Sequence, residues 1–319
     1  MAQKVSVIIP NFNGKELLAN NLPNVVKNCA GCEIIVVDDA SNDESVQFLK
    51  RRFKNIKIVE NKKNLGFAKA VNIGAQYAKG DYLLLLNTDV SPRAGFLQKA
   101  LSHFEKKKTN NIFAVGLCDV SHENGITVQR GRGAAKLIKG FLVHSAAPIR
   151  AGETFWVSGG SGLFNRCKFL ELGGFDPAFA PFYWEDIDLS YRAQKSGLIC
   201  IFEPQSQVDH YHMQGSIRKS KSDFYIKTVS YKNQFLFFWK NIDDYFLTLL
   251  HFLWQPYHFA KALLNLDLPF FVGFLWATVK IPSLIINSSL ITPARGEARQ
   301  RRHHSSLSDR EVLKKYEGQ

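Results

Sequence analysis

The stretch Ile34-Ile35-Val36-Val37-Asp38-Asp39 decides the fold class of this chain. Four β-branched residues in a row predict a strand that is buried on both faces, and two carboxylates follow it directly. Strands of this kind are typical of parallel sheets that helices cover on both sides. In such sheets ligands bind beyond the carboxyl ends of the strands. The stretch therefore predicts an α/β domain with a polar edge suited to a ligand.

Similar apolar runs alternate with helical patterns on either side of this stretch. Asn11 follows the first predicted strand, and Asn87-Thr88-Asp89 follows the fourth. Because parallel strands end at one edge of a sheet, we expect these polar residues to converge with Asp38 and Asp39. The predicted strands are Val5–Ile9, Ile34–Val37, Ile56–Val59, Tyr82–Leu86 and Ile112–Leu117. The predicted helices are Leu17–Val25, Ser45–Phe53, Phe67–Ala78 and one that Pro92 opens and that runs to Lys106.

Length and charge limit the classes of protein to consider. The chain has 319 residues, is 45% hydrophobic and carries a formal net charge of +13. The charge favours an anionic partner, such as a nucleotide diphosphate or an anionic lipid, and no nucleic-acid-binding motif accompanies it. Five cysteines without an export signal predict a reducing compartment. We expect Cys29 and Cys32, a CxxC pair without further metal ligands, to be structural.

Aromatic and acidic residues are concentrated at Phe182-Tyr183-Trp184-Glu185-Asp186-Ile187-Asp188-Leu189. The pattern predicts a short helix that begins near Glu185. Acidic residues at a helix start often serve only as caps and dipole partners. A carboxylate fixed there can also act as a base, and aromatic rings suit the faces of a sugar.

The middle of the chain is harder to assign. Residues Ser121–Phe155 are rich in Gly and Arg and show no clear period. Val157–Phe164 is a glycine-dense turn that leads into a helix over Arg166–Leu172. Gly160 in this turn is a candidate for close approach of the backbone to a bound sugar, although a tight turn alone would also need glycine.

The composition changes after about Tyr225. Aromatic-apolar helical runs follow, and Leu268–Ile286 is long enough to approach a membrane span but contains three Pro or Gly interruptions. A basic cluster then comprises Arg295, Arg299, Arg301 and Arg302. This combination favours helices that lie in an anionic membrane interface. A helical subdomain packed on the catalytic domain or on a second subunit is the alternative.

Six motifs in order resemble glycosyltransferase family 2, whose members are inverting enzymes with the GT-A fold. They span about residues 3–215 and are Val5 to Asn13, Ile35 to Asp43, Asn64 to Ala68, Gly80 to Asp89, Gly173 to Asp176 and Trp184 to Leu189. The nearest branch is similar to bacterial rhamnosyltransferase-like enzymes of cell-surface polysaccharide synthesis. The resemblance implies a GT-A, Rossmann-like domain with a mainly parallel sheet and helices on both faces. The composition after Tyr225 predicts a helical, membrane-associating C-terminal region attached to it.

The resemblance also implies which residues bind the donor and the metal. The nucleotide would be bound by Pro10, Asn11, Asn13, Asp38, Asp39, Asn64, Gly66 and Asn87. Asn87-Thr88-Asp89 stands where the family has an Asp-x-Asp motif, with Asn87 in place of the first Asp. Asp89 would coordinate Mg²⁺ or Mn²⁺ on the diphosphate. His210 would be the second metal ligand, with His212 as the alternative, and Arg218, Lys219 and Lys221 would close over the diphosphate.

In the catalytic helix, Asp186 matches the catalytic base of the family. Glu185 and Asp188 would orient the acceptor or the base, and Trp184 would stack on a sugar. Gly160 would lie on the acceptor side.

The expected function is transfer of a sugar from a UDP- or dTDP-sugar, dTDP-rhamnose among them, to a hydroxyl of a lipid-linked or cell-surface glycan. The expected catalytic domain covers residues 1–224, with donor binding in residues 1–120 and acceptor binding in residues 121–224, and a helical region covers residues 225–319. The expected location is the cytoplasmic face of the plasma membrane, with peripheral attachment. A polyprenyl-phosphate sugar synthase and a catalytically silent glycan-binding scaffold are the alternatives, and homo-oligomerisation stays open.

Overall fold

The computed structural model describes residues 4–106, 111–123, 126–211, 221–290 and 307–317. Its N-terminal region alternates strands with helices, as the apolar runs predict. The elements are β1 (Val5–Asn11), α1 (Lys15–Asn28), β2 (Glu33–Asp38), α2 (Ser45–Arg52), β3 (Lys57–Glu60), α3 (Phe67–Tyr77) and β4 (Tyr82–Leu86).

The region that follows has more strands than the sequence predicts. Its elements are β5 (Val90–Pro92), α4 (Phe96–Lys106), β6 (Ile112–Glu123), β7 (Ile126–Arg130), β8 (Gly133–Ile138), β9 (Phe141–Ala146), β10 (Gly152–Glu153), β11 (Ser161–Asn165), α5 (Arg166–Glu171), α6 (Glu185–Lys195) and β12 (Ile199–His210). A 3₁₀ turn covers Pro177–Phe179. Four helices complete the described chain, namely α7 (Asp223–Asn241), α8 (Tyr245–Leu264), α9 (Leu268–Leu290) and α10 (Asp309–Lys314).

One large sheet organises the catalytic domain. Its order among the described strands is β10-β12-β6-β11-β4-β1-β2-β3, with β5 added to β12 and β7 added to β6. The pairs β4-β1, β1-β2, β2-β3 and β6-β12 are parallel, whereas β11 is antiparallel to both of its neighbours. The predicted α/β fold with a mainly parallel central sheet and covering helices is thereby confirmed.

Both faces of this sheet are buried because alternate side chains of each strand enter different cores. Val7 and Ile9 of β1 belong to the core under α1 and α4. Ile8, between them, belongs to the core under α3, where Gly74 lies so close that a Cβ would come within 2.5 Å of Ile8. This two-sided burial explains the uninterrupted apolar runs of the sequence.

Two of the predicted boundaries are wrong. Pro92 does not open a helix but ends β5, where it pairs with Val208, and α4 begins only at Phe96 after Gly95 turns the chain at φ +75°. The turn predicted at Val157–Phe164 contains strand β11, which fills the gap between β4 and β6. In both places pairing with a distant strand overrides the local pattern.

The C-terminal helices pack on the catalytic domain through a shared aromatic core. Phe235 and Phe237 of α7 meet Phe141 of β9 and Tyr191 of α6 there. The segment Leu268–Ile286 lies within α9, and Pro269 occupies its first turn, where a missing N–H is tolerated. None of the helices in the described chain is long and apolar enough to cross a membrane.

The last described helix, α10, is held to α6 by a buried carboxylate. Asp309 accepts hydrogen bonds from the Tyr191 hydroxyl at 2.6 Å, from Lys195 Nζ at 2.6 Å and from two backbone N–H groups that begin α8. Burial opposes ionisation of Asp309, but the bonds from Lys195 and Tyr191 outweigh it and lower its pKa. This carboxylate therefore joins three helices at one point.

We expect Asp309→Ala to lower the free energy of unfolding by about 3 kcal/mol, because it leaves the buried partners of the carboxylate without an acceptor. Thermal unfolding at pH 7 measures the loss. Tyr191→Phe is the matched control. It should lower the free energy of unfolding by about 1 kcal/mol, since it removes only the hydrogen bond from the Tyr191 hydroxyl to Asp309. Because the folded-state pKa of Asp309 is lowered, its contribution should disappear as pH falls through that pKa. Equal melting of Asp309→Ala and wild type at pH 7 would contradict this role.

Candidate active site

The carboxyl ends of β1 and β2 meet as predicted. Asn11 is opposite Asp38 in the parallel register, and the Asn11 side chain donates to the Asp38 carboxylate at 2.8 Å. The other oxygen of Asp38 accepts from the backbone of Ser41 at 2.9 Å. Both residues are almost fully buried. They therefore shape the edge of the sheet from beneath and stiffen the loop after β2.

Asp39 fixes a second loop. Its two carboxylate oxygens accept from the Asn61 side chain and from the backbone of Leu65 and Gly66, at 2.8 to 3.0 Å. Gly66 has φ +85°, which favours glycine. Asp39 is 3% exposed, so its main role in the free protein is to position the loop that precedes α3.

The remaining predicted donor residues lie around the same edge. Pro10 is half-buried in β1, and Asn13 is an exposed residue with φ +51° whose side chain accepts from the backbone of Asn42. Asn64 is exposed, and its side-chain oxygen accepts from Gly66 N–H. The structure thus brings together the donor residues predicted from the ends of β1 and β2 and from the loop before α3.

The turn Asn87-Thr88-Asp89 is attached to the glycine-dense segment before β11. Asn87 N–H donates to the carbonyl of Gly160 at 2.9 Å. A Cβ at Gly160 would come within 2.4 Å of the Asn87 side-chain nitrogen. Gly160, predicted on the acceptor side, therefore lies directly against the donor turn and permits a close backbone approach there.

Asp89, His210 and Asp119 form a buried row. His210 Nε2 is 3.4 Å from an Asp89 carboxylate oxygen, and His210 Nδ1 is 3.0 Å from an Asp119 oxygen. Burial opposes the imidazolium charge, but the two carboxylates outweigh it and raise the pKa of His210 to about 10. Sequence reasoning missed Asp119, although an acid placed just beyond the predicted strand Ile112–Leu117 is the same signal that identified Asp38 and Asp89.

The residues in this row fit a divalent cation on a diphosphate. Asp89 Oδ1 and His210 Nε2, which are 3.4 Å apart, would ligate one ion once that ion has displaced the Nε2 proton, while Asp119 would orient the ring from its other nitrogen. The described residues contain no cluster of three or more His, Cys, Asp or Glu arranged for a metal. The protein would therefore supply two ligands, and phosphate oxygens would supply others, which is the arrangement that Mg²⁺ prefers.

Asp186 occupies the first turn of α6, as predicted. Its half-buried carboxylate accepts from Gly159 N–H at 3.2 Å and from Ile187 N–H at 2.8 Å. Burial raises the pKa of Asp186. Burial and the Asp186 charge also raise the pKa of Glu185, to about 8. Because the charge of Asp186 opposes ionisation of Glu185, the two carboxylates do not readily carry a negative charge together.

Two predicted roles in this helix do not agree with the structure. Asp188 is fully buried and is paired with Arg192 and with the Asn241 side chain at 2.8 Å, so it holds α6 to neighbouring segments and does not face a substrate. Trp184 is 3% exposed, and its ring packs against His144 and Phe237. Little of the ring is left for a sugar to stack on.

The strained loop before α6 depends on α7. Tyr183 and Trp184 both have positive φ, at 69° and 74°. The Asn233 side-chain amide donates to three carbonyls of this loop, those of Phe179, Phe182 and Tyr183, at 2.8 to 2.9 Å, and Lys232 donates to a fourth. No sequence signal singled out Lys232 or Asn233, since both lie in an aromatic helical run. They nevertheless hold the loop that presents Asp186.

Some predicted residues lie outside the described residues of the chain. These are His212, Arg218, Lys219 and the basic cluster Arg295, Arg299, Arg301 and Arg302. Lys221 is described, is exposed, and lies 5.7 Å from the Tyr225 ring centroid.

The mainly parallel sheet with covering helices is a GT-A-like α/β fold. Amide and carboxylate side chains, a buried Asp–His pair and a carboxylate at a helix start lie along its carboxyl edge. Residues 6–154 match the family model described as glycosyl transferase family 2. The matched residues are a little under half of the chain, and the match agrees with the resemblance that the motifs indicate.

Curated relatives agree with this family. A probable N-acetylgalactosaminyltransferase 6 of Caenorhabditis elegans is 28% identical over 207 residues, which cover 58% of this chain and 33% of the relative. An N-acetylglucosaminyl-diphospho-decaprenol L-rhamnosyltransferase of Mycobacterium tuberculosis is 23% identical over 206 residues, covering 56% of this chain and 66% of the relative. The chain thus matches about a third of the length of the nematode relative.

Solved structures share the fold. GalNAc-T7 bound to UDP, GalNAc and Mn²⁺ superposes with a TM-score of 0.61 at 21% identity, covering 76% of this chain and 49% of that one. A mannosyltransferase from Pyrobaculum calidifontis, in complex with GDP-Man and Mn²⁺, superposes with a TM-score of 0.55 at 18% identity. The superposition covers 94% of this chain and 79% of the mannosyltransferase.

We expect Gly160→Ala to weaken nucleotide binding at least tenfold, because the new methyl group would displace the Asn87 side chain. Calorimetric titration with UDP and dTDP measures the affinity. Gly116→Ala is the matched control in the same sheet, since its Cβ would meet nothing closer than 3.7 Å. Unchanged affinity in Gly160→Ala would show that Asn87 does not contribute to the donor site.

Proposed function

We propose that the protein is an inverting glycosyltransferase that moves a sugar from a UDP- or dTDP-sugar to a hydroxyl of a lipid-linked or cell-surface glycan. Asp186 is the general base in this proposal. Asp89 and His210 hold a divalent cation, Mg²⁺ or Mn²⁺, on the donor diphosphate. The Mn²⁺ and nucleotides named for the structural neighbours support a metal and a nucleotide donor, and the rhamnosyltransferase relative supports dTDP-rhamnose as the first donor to test.

The attachment of the base and the donor turn to neighbouring glycines carries this proposal. Gly159 N–H donates to Asp186, and Gly160 carbonyl accepts from Asn87. The Cα atoms of consecutive residues are about 3.8 Å apart. Asp186 is therefore fixed close to the turn that contains Asn87 and leads to Asp89. A hydroxyl activated at Asp186 would therefore lie near a sugar whose diphosphate is bound at Asp89.

The chemistry follows from these positions. Inversion requires the acceptor oxygen to attack the anomeric carbon from the side opposite the leaving diphosphate. Asp186 takes the hydroxyl proton, a step worth about 10² to 10⁴-fold in rate. A bound cation would neutralise the charge that develops on the diphosphate. The charge of Asp186 opposes ionisation of Glu185, which disfavours a second charge beside the base.

Two alternatives differ in what they require of Asp186. A polyprenyl-phosphate sugar synthase uses a phosphate acceptor, which is already ionised and needs little help from a base. A silent glycan-binding scaffold needs no base at all. The raised pKa of Asp186 and the strained loop that presents it favour a hydroxyl acceptor, because strain and shifted pKa values are concentrated at catalytic sites.

We expect Asp186→Asn to reduce sugar transfer at least about 100-fold while nucleotide affinity stays within about twofold. Transfer from a panel of UDP- and dTDP-sugars, measured by nucleotide release, tests this. In wild type, kcat/KM should fall as pH drops through the pKa of Asp186, and because burial raises that pKa the fall should occur at a higher pH than for an ordinary aspartate. The Asp186→Asn variant should not show this fall of kcat/KM at low pH. Retention of a tenth of the wild-type rate would exclude Asp186 as the base.

We expect EDTA to abolish transfer and Mg²⁺ or Mn²⁺ to restore it. Asp89→Asn should weaken UDP binding at least tenfold in the presence of Mn²⁺ and hardly at all in its absence, because the residue acts through the ion. Electron paramagnetic resonance of bound Mn²⁺ gives a readout independent of turnover. Asp209→Asn, next to His210 but paired with Arg93, is the control. Equal wild-type affinity with and without metal would contradict this role.

A further inference from the structure

Helix α8 carries its apolar side outward. The residues that are exposed along it recur every three or four positions, which places them on one face. They include Tyr245 at 81% exposure, Phe252 at 59%, Leu253 at 65% and Leu264 at 84%. A helix on the surface of a soluble domain normally shows the reverse pattern.

Helix α9 continues this surface. Leu268, Val272, Leu275 and Val279 follow each other at intervals of four, three and four residues and are 43% to 75% exposed. Leu266, in the connection between the two helices, is 80% exposed. We call the exposed apolar residues of α8, α9 and their connection the outer face. Exposed apolar side chains in this number mark a site of interaction.

The opposite sides of both helices are fixed to the protein. His251 Nδ1–H donates to the carbonyl of Gly140 at 2.7 Å, and His258 Nε2–H donates to the carbonyl of Lys139 at 2.8 Å, both in the turn between β8 and β9. Gly273 of α9 packs so closely on α7 that a Cβ would lie 2.8 Å from the Thr228 carbonyl. The helices therefore lie along the domain, with the apolar side turned away from it.

The charges around the outer face are positive near Lys139 and Lys261, whereas before Tyr245 two carboxylates are paired with cations, Asp244 with Arg310 and Asp243 with Lys195. Neither α8 nor α9 contains an acidic residue. Lys139 lies over the Tyr257 ring at 3.8 Å, Arg310 lies 5.1 Å from the Phe246 ring centroid, and Lys261 is exposed. Asp267, between the helices, is engaged by the Tyr231 hydroxyl at 2.6 Å. Apolar side chains rimmed by cations match an anionic lipid headgroup layer.

We propose that the outer face lies in the interface of an anionic bilayer, with α8 and α9 parallel to the membrane plane. A second copy of the chain fits this surface less well, because a twofold contact would bring the same cations together. The proposal gives a structural basis to peripheral attachment, and the cytoplasmic side of the plasma membrane remains a prediction.

Two neighbouring pockets, together called the groove, lie between α8 and the loop before α6. The outer pocket, about 360 Å³, lies between the β8–β9 turn and α8 and is lined by Lys139, His258 and Lys261 among others. It shares the lining residues Val143, Tyr231 and Gln234 with an inner pocket of about 270 Å³, which Lys227 and Trp184 also line. The groove is then the path by which the phosphate of a bilayer-anchored acceptor reaches Trp184, the residue next to Glu185 and Asp186. This step rests on the proposed function.

Vesicle flotation tests the proposal without turnover. The full chain should float with phosphatidylglycerol vesicles and stay at the bottom with phosphatidylcholine vesicles. Leu253→Glu combined with Val279→Glu should reduce flotation at least tenfold. The matched control combines Tyr77→Glu and Ile126→Glu. These residues lie on other surfaces, where Tyr77 is 49% and Ile126 is 66% exposed. The control variant should float like wild type. Lys139→Gln and Lys261→Gln should each weaken binding about fivefold and reduce its salt dependence.

Three results would overturn the proposal. One is that wild type stays at the bottom with phosphatidylglycerol or floats equally with phosphatidylcholine. Another is that the outer-face double variant floats like wild type. A third is a lipid-free dimer, seen by mass photometry, that only the outer-face variant dissociates, since this would assign the face to a second copy. Equal melting temperatures of all variants would establish that each variant is folded. A protein that floats normally but transfers no sugar would count against the proposed function and not against the bilayer proposal.

Discussion

The arrangement of the site depends on two adjacent peptides, those of Gly159 and Gly160. Gly159 N–H binds the carboxylate of Asp186, and the Gly160 carbonyl binds the backbone N–H of Asn87, so a single turn holds the base side and the donor side together. Side chains larger than hydrogen do not fit here, because a Cβ at Gly159 would press on Phe175 and one at Gly160 on Asn87. The sheet delivers the donor residues, but this segment sets where the base lies relative to them.

The C-terminal helices belong to the same machinery. Asn233 and Lys232 of α7 hold the carbonyls of the strained loop before α6, and Asp309 of α10 holds the far end of α6 through Tyr191 and Lys195. The described helices after Tyr225 therefore form no independent appendage, and a truncation there would remove contacts that position Asp186. If the outer face binds a bilayer, the same helices join the acceptor surface to the catalytic loop.

The sequence predicts the fold well where physical rules are local. Uninterrupted apolar strands followed by Asn or Asp are sufficient for a parallel sheet and its polar edge, because parallel strands end together. Strands β10 and β11 were not predictable, since they are short or glycine-rich and pair with strands far away in the chain. Strands β7, β8 and β9 form hairpins with near neighbours, but their residues show no clear period in the sequence. Asp119 was within reach of the rule that identified Asp89. Trp184 and Asp188 were assigned wrongly because an aromatic ring or an acid near a base is equally suited to packing, and only the positions of Phe237, Arg192 and Asn241 decide between the two.

The stereochemistry of the product tests the central claim most directly. If Asp186 activates an acceptor hydroxyl for direct displacement, the transferred sugar must have the anomeric configuration opposite to that of the donor. Proton NMR of the product formed from the best UDP- or dTDP-sugar, followed from the first turnovers, measures this configuration. We predict complete inversion. A product that retains the donor configuration would contradict the account, because retention requires a different mechanism at the carbon that Asp186 is proposed to serve.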